Sequence, residues 1–131
     1  MERAKAKIDT TILDNMIVGR VEPQIYAFST ETVPNYLKVG DTYRPVSVRL
    51  KEWQDKDKFP DATLRYDHSA QINEDTIFRD FAVHDFLEHE KGRHRLQRDD
   101  IKNLPYYSKE FFEGATIVDL DEAIADIHLS A

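Results

Sequence analysis

The chain has 131 residues, of which 40% are hydrophobic and 33% charged, with a formal net charge of −7 and no cysteine. That is one domain's worth of chain with enough apolar material for a proper core. Disulfides and thiolate metal sites are excluded, a reducing cytoplasm is the natural setting, and a broad basic coat for nucleic acid is not available.

No apolar run reaches the roughly 18 residues that a membrane-spanning helix needs, and the basic N-terminus lacks the apolar stretch of a secretory signal. Residues 9–19, "DTTILDNMIVG", set Ile12, Leu13, Met16 and Ile17 at helical spacing ahead of Gly19. Residues 1–20 are expected to be a helical extension, and residues 21–131 the domain proper. "EPQIYAFS" and "NYLKVGD" read as two short strands, joined by "TETVPN" in an antiparallel hairpin. Pro45 then opens a helix whose Val46, Leu50 and Trp53 form a core-facing stripe, ended by "QDKDKFPD". Arg49 lies at the edge of that stripe, while Lys51 and Glu52 point to its polar side. An edge arginine is either a snorkelling side chain or a functional one.

Residues 62–72 read as a third strand. Asn73 is the expected N-cap of a helix running to about Lys91, with Gly92 as its stop. Asp80, His84 and Glu88 recur at i, i+4 and i+8 on that helix, in a narrow polar row with apolar neighbours on both flanks. The row is either an exposed ladder or a partly desolvated site in which a carboxylate needs a cation, a metal or donors. "YYSKEFFEG" reads as a further strand, and Asp119 with Glu122 as a D-x-x-E cap for a closing amphipathic helix. The expected fold class is α+β, a small mixed or antiparallel sheet of three to four strands flanked by helices. "HEKGRH" fails as a zinc helix because His89 and His94 are five apart where four are needed. Basic residues gather at 93–98, "RHRLQR", and at Lys38, Arg44, Arg49 and Lys51.

"QIYAF", "YLKVG", "RPVSVRLKEW" and "FRDFAVHDFL", in that order and followed by "KEFFEGATIVDLDEAI", resemble the GIY-YIG endonuclease superfamily. The likeness is greatest to its phage- and restriction-associated branch, whose second motif often reads Lys-Ile-Gly. It spans roughly residues 22–127. It implies a metal-dependent DNA endonuclease using Mg²⁺ or Mn²⁺, of a kind that can serve as a module of a larger restriction or repair protein. The alternative it leaves open is a degenerate domain that binds nucleic acid or protein without cleaving. Gln24-Ile25-Tyr26 stands for the first motif, without its initial Gly, and Lys38-Val39-Gly40 for the second, with Lys in place of Tyr. By the same resemblance Arg49 would fork onto phosphate oxygens, and Tyr26 or Lys38 would position or deprotonate the attacking water. Asp80 would hold the metal, with Glu88 the fallback, and His84 would orient rather than ligate. Gly40 and Arg44 are the candidates for contacting substrate. Glu110 stands near the place of the family's late Asn.

Overall fold

The computed structural model of the chain describes residues 23–100 and 108–130. The expected helix at 9–19 and the extension at 1–20 lie outside these residues. The elements are β1 (Gln24–Ser29), β2 (Tyr36–Thr42), α1 (Val46–Trp53), β3 (Thr63–Ser69), β4 (Gln71–Asn73), β5 (Thr76–Ile77), α2 (Asp80–His89), a 3₁₀ turn (Arg98–Asp100), β6 (Phe111–Glu113) and α3 (Ile117–Ser130). This is the α+β class expected. Four strands form one antiparallel sheet in the order β3-β1-β2-β6, and β4 and β5 form a separate two-stranded ribbon.

The central hairpin is hydrophobic on both faces, which is why β1 and β2 read as continuous apolar runs rather than alternating ones. Strand pairing sorts the side chains. Ile25, Ala27, Leu37 and Val39 turn to one face with Phe112, where Val83, Leu87, Leu120, Ala123 and Ile124 of α2 and α3 cover them. Tyr26, Phe28 and Phe111 turn to the other face and meet Trp53, Phe59 and Leu96. Lys38 lies on this second, aromatic face, directly across from Phe28. The outer strand β3 is largely exposed.

Three local expectations are corrected. Asn73 does not cap a helix: its side-chain oxygen accepts the Asp75 N–H, closing a tight turn between β4 and β5. An Asn side chain serves a turn as readily as a helix start. Helix α2 therefore begins only at Asp80, and Ile77 and Phe78 are core residues outside it. Its cap comes from another element: the Asp41 carboxylate at the end of β2 accepts the Asp80 N–H at 2.9 Å and the Arg79 Nε–H at 2.8 Å. The helix ends near the expected place, at His89, with Gly92 at φ +64° in the left-handed region that glycine enters without strain. Finally, α3 is capped one turn earlier than Asp119-x-x-Glu122 suggested. Thr116 Oγ1 accepts the Asp119 N–H, and Asp119 Oδ2 accepts the Thr116 N–H, a reciprocal box with Thr116 as the cap.

Asp119 also pairs with Arg93 at 2.9 Å and is almost wholly buried, so it ties the end of α2 to the start of α3. Replacing it removes a cap and leaves a partly covered guanidinium unpaired. Asp119→Ala is expected to lower unfolding free energy by about 2–4 kcal/mol in urea titrations, against about 1 kcal/mol for Thr116→Ala. Among the described residues no helix is long and apolar enough to cross a membrane.

Candidate active site

The site forms where β6 stops. Strand β6 covers β2 only as far as Lys38, and the Val39 N–H donates to the Glu110 carbonyl just before β6 begins. Beyond that point the edge of β2 is met by the N-terminus of α2. Residues from both faces of the sheet can therefore approach one another around this edge.

On the aromatic face, Lys38 is fully buried. Its Nζ sits 2.6 Å from Glu110 Oε1, donates to the Tyr26 hydroxyl at 3.3 Å and lies 3.9 Å from the centre of a Trp53 ring. Burying an ammonium costs several kcal/mol unless it is paired, and here a carboxylate, a phenol and an indole face share the compensation. The Tyr26 oxygen is itself a hub, receiving the Trp53 Nε1–H at 2.6 Å as well. The Arg49 guanidinium also faces that oxygen, stacked 4.7 Å from the Trp53 ring.

Gly40 explains itself at this point. It lies opposite Tyr26 in the hairpin, and a Cβ there would come within 2.9 Å of Lys38 Nζ and 3.0 Å of the Tyr26 oxygen. The glycine leaves the space in which the ammonium and phenol meet. This is the answer to why Gly follows Lys-Val in the second motif.

From the other side, Asp80 and His84 come off the first turn of α2. Asp80, His84 and Glu110 each offer a ligand atom within 4.8 Å of one another. Burial and the neighbouring Asp41 and Glu110 carboxylates push the Asp80 carboxyl up to about 7. Glu110 is held below the usual carboxylate range by Lys38, which outweighs its burial. The two acids face each other, and the opposite directions of their shifts make Asp80 the one that more readily keeps a proton. Crowded carboxylates with too little countercharge are the donor chemistry of a divalent-cation site, and Asp80 and Glu110 are the residues that could hold such an ion.

His84 is buried, and desolvation pushes its imidazole down to about 4, so it is neutral. Its Nε2–H donates to the Val39 carbonyl at 2.7 Å, and its Nδ1 accepts from Arg95 Nη2 at 3.2 Å. With both nitrogens engaged, His84 would ligate only by displacing Arg95. Its geometry is that of an orienting group. Glu88 lies outside the cluster, held by Arg95 Nη1 at 3.0 Å, which removes the ground for it as the fallback ligand.

Tyr26, Lys38, Arg49 and Asp80 are thus brought into one continuous network, linked through Glu110. Arg44 is not in its centre; it sits at the surface in a two-pronged pair with Glu52. Glu52 also bonds Arg49 at 2.8 Å, so it does not point to the far polar side as helical phase suggested. Trp53, Asp41 and Arg95 were not singled out from sequence. Trp53 read as core, which it also is. Asp41 and Arg95 act across 39 and 11 residues of chain, and no local pattern marks them.

Two outcomes follow. Gly40→Ala is expected to cost about 1–3 kcal/mol by overpacking against Lys38 and Tyr26, read as a lower thermal midpoint. For Asp80 the folded carboxyl titrates above its unfolded value, so its contribution to stability is greatest in acid and is lost as pH rises from about 4 through about 7. In EDTA, the thermal midpoint should fall between pH 5 and pH 8, and Asp80→Asn should flatten that slope.

Residues 24–128 match the T5orf172 domain. No curated protein and no solved structure matches the chain. The matched span runs from the first residue of β1 almost to the end of α3 and contains every residue of the network above. The chain therefore belongs to the T5orf172 domain family, a phage-associated, nuclease-like group within the GIY-YIG-like superfamily.

Proposed function

We propose that the protein is a metal-dependent DNA endonuclease domain that hydrolyses phosphodiester bonds with the Tyr26–Lys38–Arg49–Asp80–Glu110 network. The observation that carries this reading is the meeting of the Asp80–Glu110 carboxylate pair with Lys38 and Tyr26 at the open edge of β2. Asp80 and Glu110 are the residues that would hold Mg²⁺ or Mn²⁺. The ion, when bound, supplies Lewis-acid neutralisation of the phosphate.

The chain's own groups divide the remaining work. Arg49 offers a planar guanidinium to the non-bridging oxygens. Lys38 donates toward both Tyr26 and Glu110, which casts it as a group that orients the phenol. The Tyr26 oxygen would position the attacking water and receive its proton while the bond from phosphorus to the leaving oxygen breaks. The Trp53 Nε1–H and the Lys38 Nζ both donate to that oxygen and fix its place. His84, fixed between Val39 and Arg95, keeps the first turn of α2 in register with β2.

A second reading has its own support. Tyr26 and Lys38 are almost completely buried and already satisfied by internal partners, as suits a domain that keeps the network for stability and binds nucleic acid or protein without cutting. Incubation with supercoiled and branched DNA plus Mg²⁺ or Mn²⁺ separates the two. The endonuclease reading expects nicking that EDTA abolishes and that Asp80→Ala and Arg49→Ala each reduce by at least about 100-fold. Salt-sensitive binding with no cleavage of any substrate would establish the binding module instead.

A further inference from the structure

Among the described residues, Glu52 is a carboxylate set between two guanidiniums, those of Arg44 and Arg49. Arg44, just ahead of α1, donates through Nη1 and Nη2 to the two Glu52 oxygens at 2.6 and 2.7 Å. Arg49, on α1, adds a third bond at 2.8 Å to the same carboxylate. Those bonds hold the Glu52 carboxyl far down, at about 2. Two cations and one anion leave a net positive cluster on a chain whose total is −7. Lys58 adds to it, its Nζ being 5.3 Å from the Trp53 ring on which Arg49 also stacks.

We propose that Glu52 is a built-in stand-in for a DNA backbone phosphate, occupying an anion seat between Arg44 and Arg49 from which a phosphodiester of duplex DNA displaces it. The inference rests on the DNA-directed reading above and adds a second phosphate contact beside the centre. Three features support it. A carboxylate and a phosphodiester both present two oxygens and one negative charge, and a guanidinium fork accepts either in the same plane. The seat is accessible: the side chains of Arg44, Arg49 and Glu52 are 57, 29 and 36% exposed. An ion pair in such a setting is held weakly in water, so an incoming polyanion can replace it. Arg49 connects the seat to the centre, because the same guanidinium faces the Tyr26 oxygen.

Glu52 would then do two things. It keeps two like charges converged before DNA arrives, and it competes with every polyanion that tries to enter. Removing its charge while keeping its shape should release the competition. Anisotropy of a short labelled DNA duplex in EDTA measures binding with cleavage switched off. Glu52→Gln and Glu52→Ala are expected to bind at least about threefold tighter than the wild type, with unchanged thermal midpoints. Arg44→Ala in the Glu52→Gln background should return affinity to or below the wild-type value. Equal or weaker binding by both Glu52 variants, with the wild type binding DNA and nicking it in an Asp80-dependent way, overturns the Glu52 assignment alone. Absence of duplex binding in every variant overturns it together with the DNA-directed reading.

Discussion

A buried ammonium is the constraint on which the centre of this molecule depends. Lys38 belongs to the middle strand pair of the sheet and has no exposure to water. An unpaired charge there would cost more than the domain's whole margin of stability. Glu110 must therefore arrive just ahead of β6, Trp53 must turn its ring from α1, and Tyr26 must offer its oxygen from β1. Each of those side chains is fixed by a different element. The ion pair thus couples the helix on the aromatic face to the strand at the sheet's edge, and the edge to the acids of α2. Breaking a pair of this kind by removing one partner is far more damaging than never having had it.

The parts of this arrangement that were legible in the sequence are those with a local cause. The hairpin, α1 and α3 follow from apolar periodicity within a few residues, and the observed four strands lie within the expected three to four. Gly40 could be suspected from its motif, but its reason is a clearance of about one methyl group above Tyr26, which only coordinates supply. The start of α2 was misplaced because Asn73 is as good a turn former as a helix cap, and the real cap, Asp41, comes from a strand 39 residues upstream. The same misplacement put Asp80 in mid-helix. Its actual place, on the first turn, is what lets it reach round the strand edge to Glu110. Arg95 was invisible for a similar reason: within "RHRLQR" it looks like its neighbours, yet it alone bridges His84 and Glu88.

Charge is distributed to match this division of labour. The acids at Asp41, Asp80 and Glu110 gather where α2 meets β2, while Arg49 and Lys58 lie against the Trp53 ring and Arg44 joins Arg49 through Glu52. A strongly negative polymer would be repelled by the chain as a whole and by the acid cluster in particular. On the DNA-directed reading proposed above, the cations beside α1 would offer such a polymer a less repulsive approach than the acid cluster, which a divalent ion would neutralise.

The internal satisfaction of the network bears on how it could act. Lys38, Tyr26 and Arg49 are held by Glu110, Trp53 and Glu52 and by one another. A substrate can enter such a site only by replacing those bonds with equivalents of its own. On the proposed reading, a phosphate oxygen would take the place of the Glu52 carboxylate at Arg49, and a divalent ion would supply part of the pull that Lys38 exerts on Glu110. The exchanges differ in difficulty. The first happens at a solvated surface and loses little, whereas the second reorganises charges that water scarcely reaches and gains its free energy only if the ion and the phosphate arrive together. On the DNA-directed reading proposed above, the ion pairs would hold such a site closed until the ion and the phosphate arrive together.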